Sequence, residues 1–320
     1  MQNVSEPFDH ALICMINKPT IAFGPELNRP SWDWAGFDIG REMSKYYSVI
    51  FFDKNVDYVP QCDLVIFIKN KPDSKIWENA KHRSIKIVYC PIDVYRDQSN
   101  INSEADFLRE CEAVLVHCER LLPTFKPFCK IIEFVEHHNR FGLSIMTPYK
   151  ESGYVVWVGG FQNLSPAIRW LKDHPLGLDI KFVTDYPTLF KDHILNVLPI
   201  TDSHELVKWS PKAQRDTMAG AKAAFDVKGL NFNQMHKPPV KAQKFIASGI
   251  PFATNLESYS AEYFETRGFT IASLTEVKRW LSHEYWQETK DVGAELQRRL
   301  TLKNVGLNYK RIIDNILKSE

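Results

Sequence analysis

The sequence predicts an α/β protein built from two doubly wound parallel sheets with a cleft between them. Three observations carry this prediction. Short apolar runs alternate with helical stretches along most of the chain, the pattern of strand–helix–strand crossovers. The alternation runs twice, on either side of an irregular stretch at residues 139–152 (NRFGLSIMTPYKES) that mixes Gly, Pro, Ser and Thr. The length of 320 residues, 44% of them apolar, is enough for two domains with a core in each.

In the first series, Thr20–Gly24 (TIAFG) reads as a strand closed by Gly and Pro, residues 32–47 as a helix and residues 48–53 (SVIFFD) as the next strand. Apolar runs at 64–69, 85–90, 113–118 and 130–135 complete a sheet within a first domain of residues 1–145. The second series, residues 146–300, opens with a strand at 154–158 (YVVWV) that ends at Gly159 and Gly160. Ser165 and Pro166 follow, read as an N-cap with Pro at the first helical position, and the helix runs to Lys172. Ile180–Thr184 is a strand. Ser210 and Pro211 repeat the capping signal before a helix to about residue 221, and residues 223–227 form a strand ending at Lys228 and Gly229. A helix at 239–248 is stopped by Gly249. A strand at 251–254 and a helix at Tyr259–Glu265 come next, and the chain reads as helical from Leu274 on.

Composition excludes several classes. Forty basic against thirty-nine acidic residues leave a net charge of +1, so the broad positive field that gathers nucleic acid is absent. The six cysteines (Cys14, Cys62, Cys90, Cys111, Cys118, Cys129) include no C-x-x-C pair and several lie in apolar runs, as expected of buried thiols in a reducing compartment. Residues 1–10 lack a basic segment followed by an apolar stretch, and no run of about twenty apolar residues occurs. A cytoplasmic protein is expected, with peripheral membrane contact left open.

The near-neutral total conceals one concentrated region. Residues 208–244 hold eight basic residues (Lys208, Lys212, Arg215, Lys222, Lys228, Lys237, Lys241, Lys244) and two acids (Asp216, Asp226), a net +6. On the helix that starts at Pro239, Ala242, Phe245 and Ile246 form an apolar stripe, while Lys241, Lys244 and Ser248 share another face. Lys237 and Lys241 flank the helix N-terminus, where a cation is disfavoured by roughly 0.3–1 kcal/mol. A bound phosphate would reverse that cost. The alternative is a solvated basic face, with Asp226 as a partner.

The run Lys237–Thr254 (KPPVKAQKFIASGIPFAT) resembles the donor-binding segment of GT-B glycosyltransferases, in which a helix is followed by Ala-x-Gly-x-Pro and a strand. Val158-Gly159-Gly160 is similar to the strand end that opens that family's second domain, and residues 210–229 to its next helix–strand block. Residues 132–141 lie where the first domain usually ends. The resemblance implies two Rossmann-like domains, a nucleotide-sugar donor held by the second and a glycan, lipid-linked or other hydroxyl acceptor held by the first. It further implies a last helix, residues 301–320, packed back on the first domain, hexosyl or pentosyl transfer, and no cofactor. Lys228, His236, Lys237, Lys241, Lys244, Gly159, Gly160, Ser258 and Tyr259 fall at its donor positions. His236 and Lys244 stand where many retaining members carry paired glutamates, and the family's diphosphate-gripping Arg and Lys have no counterpart at Gly160 and Ser165. Those departures leave two alternatives: an inactive binding or scaffold protein of the same fold, or a nucleotide-sugar epimerase or hydrolase.

Sugar transfer breaks a glycosyl–phosphate bond, and fixed cations can stabilise the leaving diphosphate without a metal. The nearest thing to a metal cluster, Cys111, His117 and Cys118, lies around an apolar strand and reads as core. His137 and His138, adjacent in an extended segment, read as a surface turn or cleft edge. An inverting enzyme needs a base on the first domain. Asp33 and Asp93 both follow strands at the cleft side, with helix capping and turn formation as their structural alternatives. Trp32 and Trp34 read as packing residues or as rings facing a sugar. The basic, Leu- and Ile-bearing stretch 297–318 is the candidate for any membrane contact.

Overall fold

A computed structural model describes residues 18–187 and 203–319. Within them, two six-stranded parallel sheets form. The first comprises β1 (Thr20–Gly24), β2 (Ser48–Phe51), β3 (Leu64–Ile68), β4 (Lys86–Cys90), β5 (Ala113–Val116) and β6 (Ile131–Phe134), in the order β2-β1-β3-β4-β5-β6. The second comprises β7 (Val155–Val158), β8 (Ile180–Thr184), β9 (His204–Lys208), β10 (Ala223–Asp226), β11 (Phe252–Thr254) and β12 (Ala272–Ser273), in the order β12-β11-β10-β7-β8-β9. The direction of winding reverses between β1 and β3 and again between β7 and β10. At such points successive crossovers leave on opposite faces and open a crevice beyond the strand ends.

Helices on both faces explain why the central strands are apolar throughout: every residue of β3 (LVIFI) and β5 (AVLV) is buried. The helix Leu302–Lys318 covers one face of the first sheet. Its Val305, Tyr309, Ile312, Ile313 and Ile316 pack with Ile21, Phe23 and Ile66. Its apolar stripe is therefore covered by protein and is not presented to a membrane. No helix among the described residues is long and apolar enough to cross one. A second apolar cluster is continuous between the domains, from Phe67, Tyr89 and Phe107 to Trp157, Phe182 and Phe245.

Several local expectations are corrected. The helix expected at 32–47 is a π-helical turn, Trp32–Phe37, followed by an α-helix that ends at Met43. Gly36 permits this, because a Cβ there would lie 2.3 Å from the Trp32 ring. Ser165 is inside its helix, whose N-cap is Leu164, since the 3-10 turn Phe161–Asn163 already starts the winding. Ser210 does cap, accepting from the Ala213 N–H at 3.0 Å. The edge strands β9 and β12 were not anticipated. The stretch after Leu274 is broken into Val277–Trp280, His283–Arg299 and Leu302–Lys318, with Ser282 and Thr301 capping the last two. Residues 139–152 form no helix or strand, yet they are fastened: the Leu143 N–H donates to Ser248 Oγ (3.0 Å) and the Thr147 N–H to the Ser248 carbonyl (2.9 Å).

His137 and His138 are 5% and 7% exposed, not a surface turn. His137 stacks on His117 with ring centroids 3.8 Å apart, while His138 pairs with Asp38 at 3.1 Å. His117 Nδ1–H donates to the Val135 carbonyl (2.7 Å), and its Nε2 lies 3.2 Å from Cys90 Sγ. Cys111 belongs elsewhere, donating to the Phe107 carbonyl. Among the described residues no group of three His, Cys, Asp or Glu could hold a metal. Cys62, Cys90, Cys111, Cys118 and Cys129 are buried and free. Cys14 and residues 1–10 lie outside the described residues.

Burial holds His117 down to about 4 and His137 well below its ordinary value. The unfolded chain takes up protons at these sites near its ordinary pKa of about 6.5, whereas the folded chain resists, so their contribution to stability is full above that pH and lost as pH falls toward about 4. The urea midpoint should therefore drop between about pH 7 and about pH 5. His137→Phe, which keeps a ring on His117, should make the drop shallower.

Candidate functional site

The strand β10 (AAFD) is entirely buried and ends in a carboxylate, Asp226, which is 2% exposed. Such a group must be compensated. Its Oδ1 accepts from Trp157 Nε1 (3.0 Å) and Lys241 Nζ (2.7 Å), and its Oδ2 from Lys228 Nζ (2.8 Å). The neighbouring strand β7 supplies Trp157, the loop after β10 supplies Lys228, and the helix Val240–Ala247 supplies Lys241. The Lys241 ammonium lies 4.1 Å from the centre of the Trp157 ring. Gly159, just past β7, makes room: a Cβ would stand 2.8 Å from that ammonium and 2.7 Å from the indole.

One carboxylate thus serves two ammonium groups, and the imbalance shows in their acidities. Burial alone would raise Asp226, but Lys228 and Lys241 together overcome it and hold the carboxyl at about 2. Burial pushes Lys241 down to about 7, with Asp226 opposing and Lys228 adding to the push. A third lysine, Lys237, donates to Asn163 Oδ1 (2.6 Å) and is also lowered, first by burial. The helix begins at Pro239 without a side-chain cap, adding the positive end of its dipole. Positive charge in excess therefore collects at the β7/β10 switch point.

Across the cleft the first domain presents Lys69, just past β3, and Asp93, just past β4. Both have left-handed backbones, φ 70° and 53°, a strain that recurs at functional sites. Lys69 Nζ donates to the Ile92 carbonyl (2.8 Å). Asp93 is exposed and close enough to favour the charged forms of Lys69 and Lys237.

Lys228, Lys237 and Lys241 converge as a group, with Gly159 and Gly160 at the strand end beside them. Lys244 does not join them. It is 7% exposed, and its ammonium lies 5.7 Å from the Trp34 ring and 6.0 Å from the Phe141 ring. The helix has no solvated basic face: Ala242, Phe245 and Ile246 are buried as expected, and so are Gln243, Lys244, Ala247 and Ser248. Elsewhere in the basic segment, Lys212 is exposed and pairs with Asp216, and Lys208 donates to the Tyr186 carbonyl. His236 donates from Nδ1 to the Phe232 carbonyl (2.7 Å) and, with Asp93, lines an interdomain cavity of about 20 Å³. Ser258 caps its helix through the Ala261 N–H, and the Tyr259 hydroxyl is engaged with Glu119 of the first domain (3.0 Å), so both side chains have other partners. Asp33 pairs with Arg140 at 2.9 Å. Trp157, Asn163 and Lys69 were not picked out from the sequence. Only Trp157 carried a signal there, as an indole one residue before a strand's final valine and the Gly pair.

Neither a family profile nor a curated protein sequence matches the chain. Solved structures do. Alr3699/HepE from Anabaena, solved with UDP and glucose, aligns with a TM-score of 0.65 at 11% identity over 93% of this chain and 100% of that one. AviGT4, a glycosyltransferase involved in avilamycin A biosynthesis, aligns with 0.61 at 9% identity over 93% and 98%. T4 phage BGT, solved with UDP and Mn2+, aligns with 0.54 at 16% identity over 94% and 100%. The chain has the GT-B fold. Within that fold the lysine cluster occupies the second sheet's switch point and Asp93 the facing edge of the first.

Removing the shared carboxylate should be destabilising. Asp226→Ala leaves two partly buried ammonium groups without a counter-ion, and a loss of about 1–3 kcal/mol is expected in urea denaturation.

Proposed function

We propose that the protein is a glycosyltransferase that moves a sugar from a nucleoside diphosphate to a hydroxyl acceptor. The observation that carries this reading is the group of three lysines, undercompensated by one carboxylate, at the switch point of the second sheet of a GT-B fold. Lys228, Lys237 and Lys241 meet the diphosphate, and the acceptor lies against the first domain. Asp93 takes the proton of the acceptor hydroxyl as its oxygen attacks the anomeric carbon. The bond from that carbon to the diphosphate oxygen breaks, and its electron pair leaves with the diphosphate, where the lysines stabilise the new charge. Asp93 suits the base because it faces Lys237 across the cleft, while Asp33 is paired with Arg140. In this reading the lysines replace a metal, and buried free thiols accord with a reducing, cytoplasmic setting. HepE and the T4 enzyme were solved with UDP, which makes a UDP-hexose the first donor to try.

A thermal-shift series with UDP, GDP, TDP and CMP should find one nucleotide that raises the melting temperature. Lys241→Ala should abolish that rise; a shift unchanged in the variant would move the donor site elsewhere. Because Lys241 loses its proton near about 7, nucleotide affinity should weaken as pH rises through that value. Asp93→Asn should leave nucleotide binding intact and slow transfer by about 10²–10⁴-fold in a donor-consumption assay with acceptor, and EDTA should leave the wild-type rate unchanged. Nucleotide release that needs no acceptor would point to hydrolysis instead.

A further inference from the structure

The junction between the domains holds a second charge imbalance, separate from the Asp226 group. Lys244 is 7% exposed, and its ammonium, which has no hydrogen-bond or ion-pair partner among the described residues, keeps contact with solvent. It rests between the rings of Trp34, from the π-helical turn of the first domain, and Phe141, from the crossing segment. The charged group that acts on it is a like charge, Arg140, whose guanidinium lies 4.8 Å from the centre of the same Phe141 ring. The nearby carboxylates are already committed. Asp33 pairs with Arg140 (2.9 Å), and Asp38 is shared by Arg140 (3.3 Å) and His138 (3.1 Å). A second donor is idle on the same indole: Trp34 Nε1–H is buried without a hydrogen-bond partner.

Two unpartnered donors at a domain junction, one of them an ammonium 5.7 Å from the other's ring, suit an oxyanion. Ring faces stabilise a lysine only weakly compared with a carboxylate or phosphate oxygen, so Phe141 and Trp34 do not complete its coordination. We propose that Lys244 Nζ and Trp34 Nε1–H form an oxyanion-binding subsite, distinct from the Lys228–Lys237–Lys241 group, that takes a carboxylate or phosphate group of a ligand. The subsite stands independently of the transferase reading, because its donors are not those of the Lys228–Lys237–Lys241 group.

The test is calorimetric titration of the full chain carrying Lys241→Ala, which removes one lysine of the other anion site, with inorganic phosphate in one arm and glucuronate in the other. Binding of either anion is expected, and the arm that responds identifies the group. Adding Lys244→Met should weaken that binding by about tenfold or more, the scale of a lost charge-assisted hydrogen bond. Trp34→Phe, which keeps the ring and removes the N–H, should weaken it by a smaller factor and serves as the readout should Lys244→Met fail to fold. The proposal is overturned if neither anion binds the Lys241→Ala protein, or if the affinity is indifferent to both further substitutions. Nucleotide binding by the wild type reports separately on the transferase reading.

Discussion

Asp226 ends a strand with no exposed residue, and a carboxylate in that position must draw hydrogen-bond donors and cations to itself from whatever chain passes nearby. Three elements comply: the tip of β7 through Trp157, the loop after β10 through Lys228, and the helix Val240–Ala247 through Lys241. The strand pairing fixes β7 beside β10, and the carboxylate fixes the helix over both. Because it has one negative charge to share, it cannot neutralise what it gathers. The carboxylate is overcompensated and each lysine undercompensated, so structural order at the switch point comes with an excess of positive charge. Order and surplus charge here are two consequences of the same count of charges.

The cleft that faces this group is held to a definite width by polar contacts between the domains. After β5, Arg120 reaches across to Glu262 (2.6 Å) and to the Met235 and Glu257 carbonyls, while Glu119 takes the Tyr259 hydroxyl and Arg267. After β6, Glu136 meets Tyr263 and Arg299. Glu119, Arg120 and Glu136 come from the first domain and their partners from the second series, so separation of the domains would strand several partly buried charges at once. Among these contacts the Tyr259 hydroxyl is a brace, while Ser258 beside it caps the helix.

Much of the fold was legible because a parallel sheet covered on both faces demands unbroken apolar runs, and runs such as LVIFI and YVVWV can be read without knowing their neighbours. The strands that escaped notice are the ones released from that demand. In β9 (HELVK), at a sheet edge, polar residues flank only two apolar ones, and β12 has two residues. The site was legible as a concentration of charge but not as an arrangement. Helical periodicity put Lys241 and Lys244 on a common face, yet it could not show that this face is buried as well, or that the two ammonium groups reach different walls. Asn163 and Lys69 come from turns after strands, where their roles depend on tertiary approach, and no local pattern marks them. His137 and His138 misled for the opposite reason: polar residues in an irregular segment suggest solvent, whereas ring stacking and a carboxylate bury both.

Structures that share about a tenth of their residues with this chain share its two sheets over nearly their whole length. What persists across that distance is backbone: parallel strands, their order, and the reversal that opens a crevice at the strand ends. A crevice of this kind fixes where an anion is held, not which side chains hold it. This chain has no carboxylate at His236 or Lys244 and no cation at Gly160 or Ser165, and the positive charge at its switch point comes from Lys228, Lys237 and Lys241. They can gather there because the strand ends and the helix start converge on one volume, so a lysine contributed by any of them arrives at the same place. Lys244, one turn further along the helix, falls outside that volume, and a single turn is enough to give it a different set of neighbours.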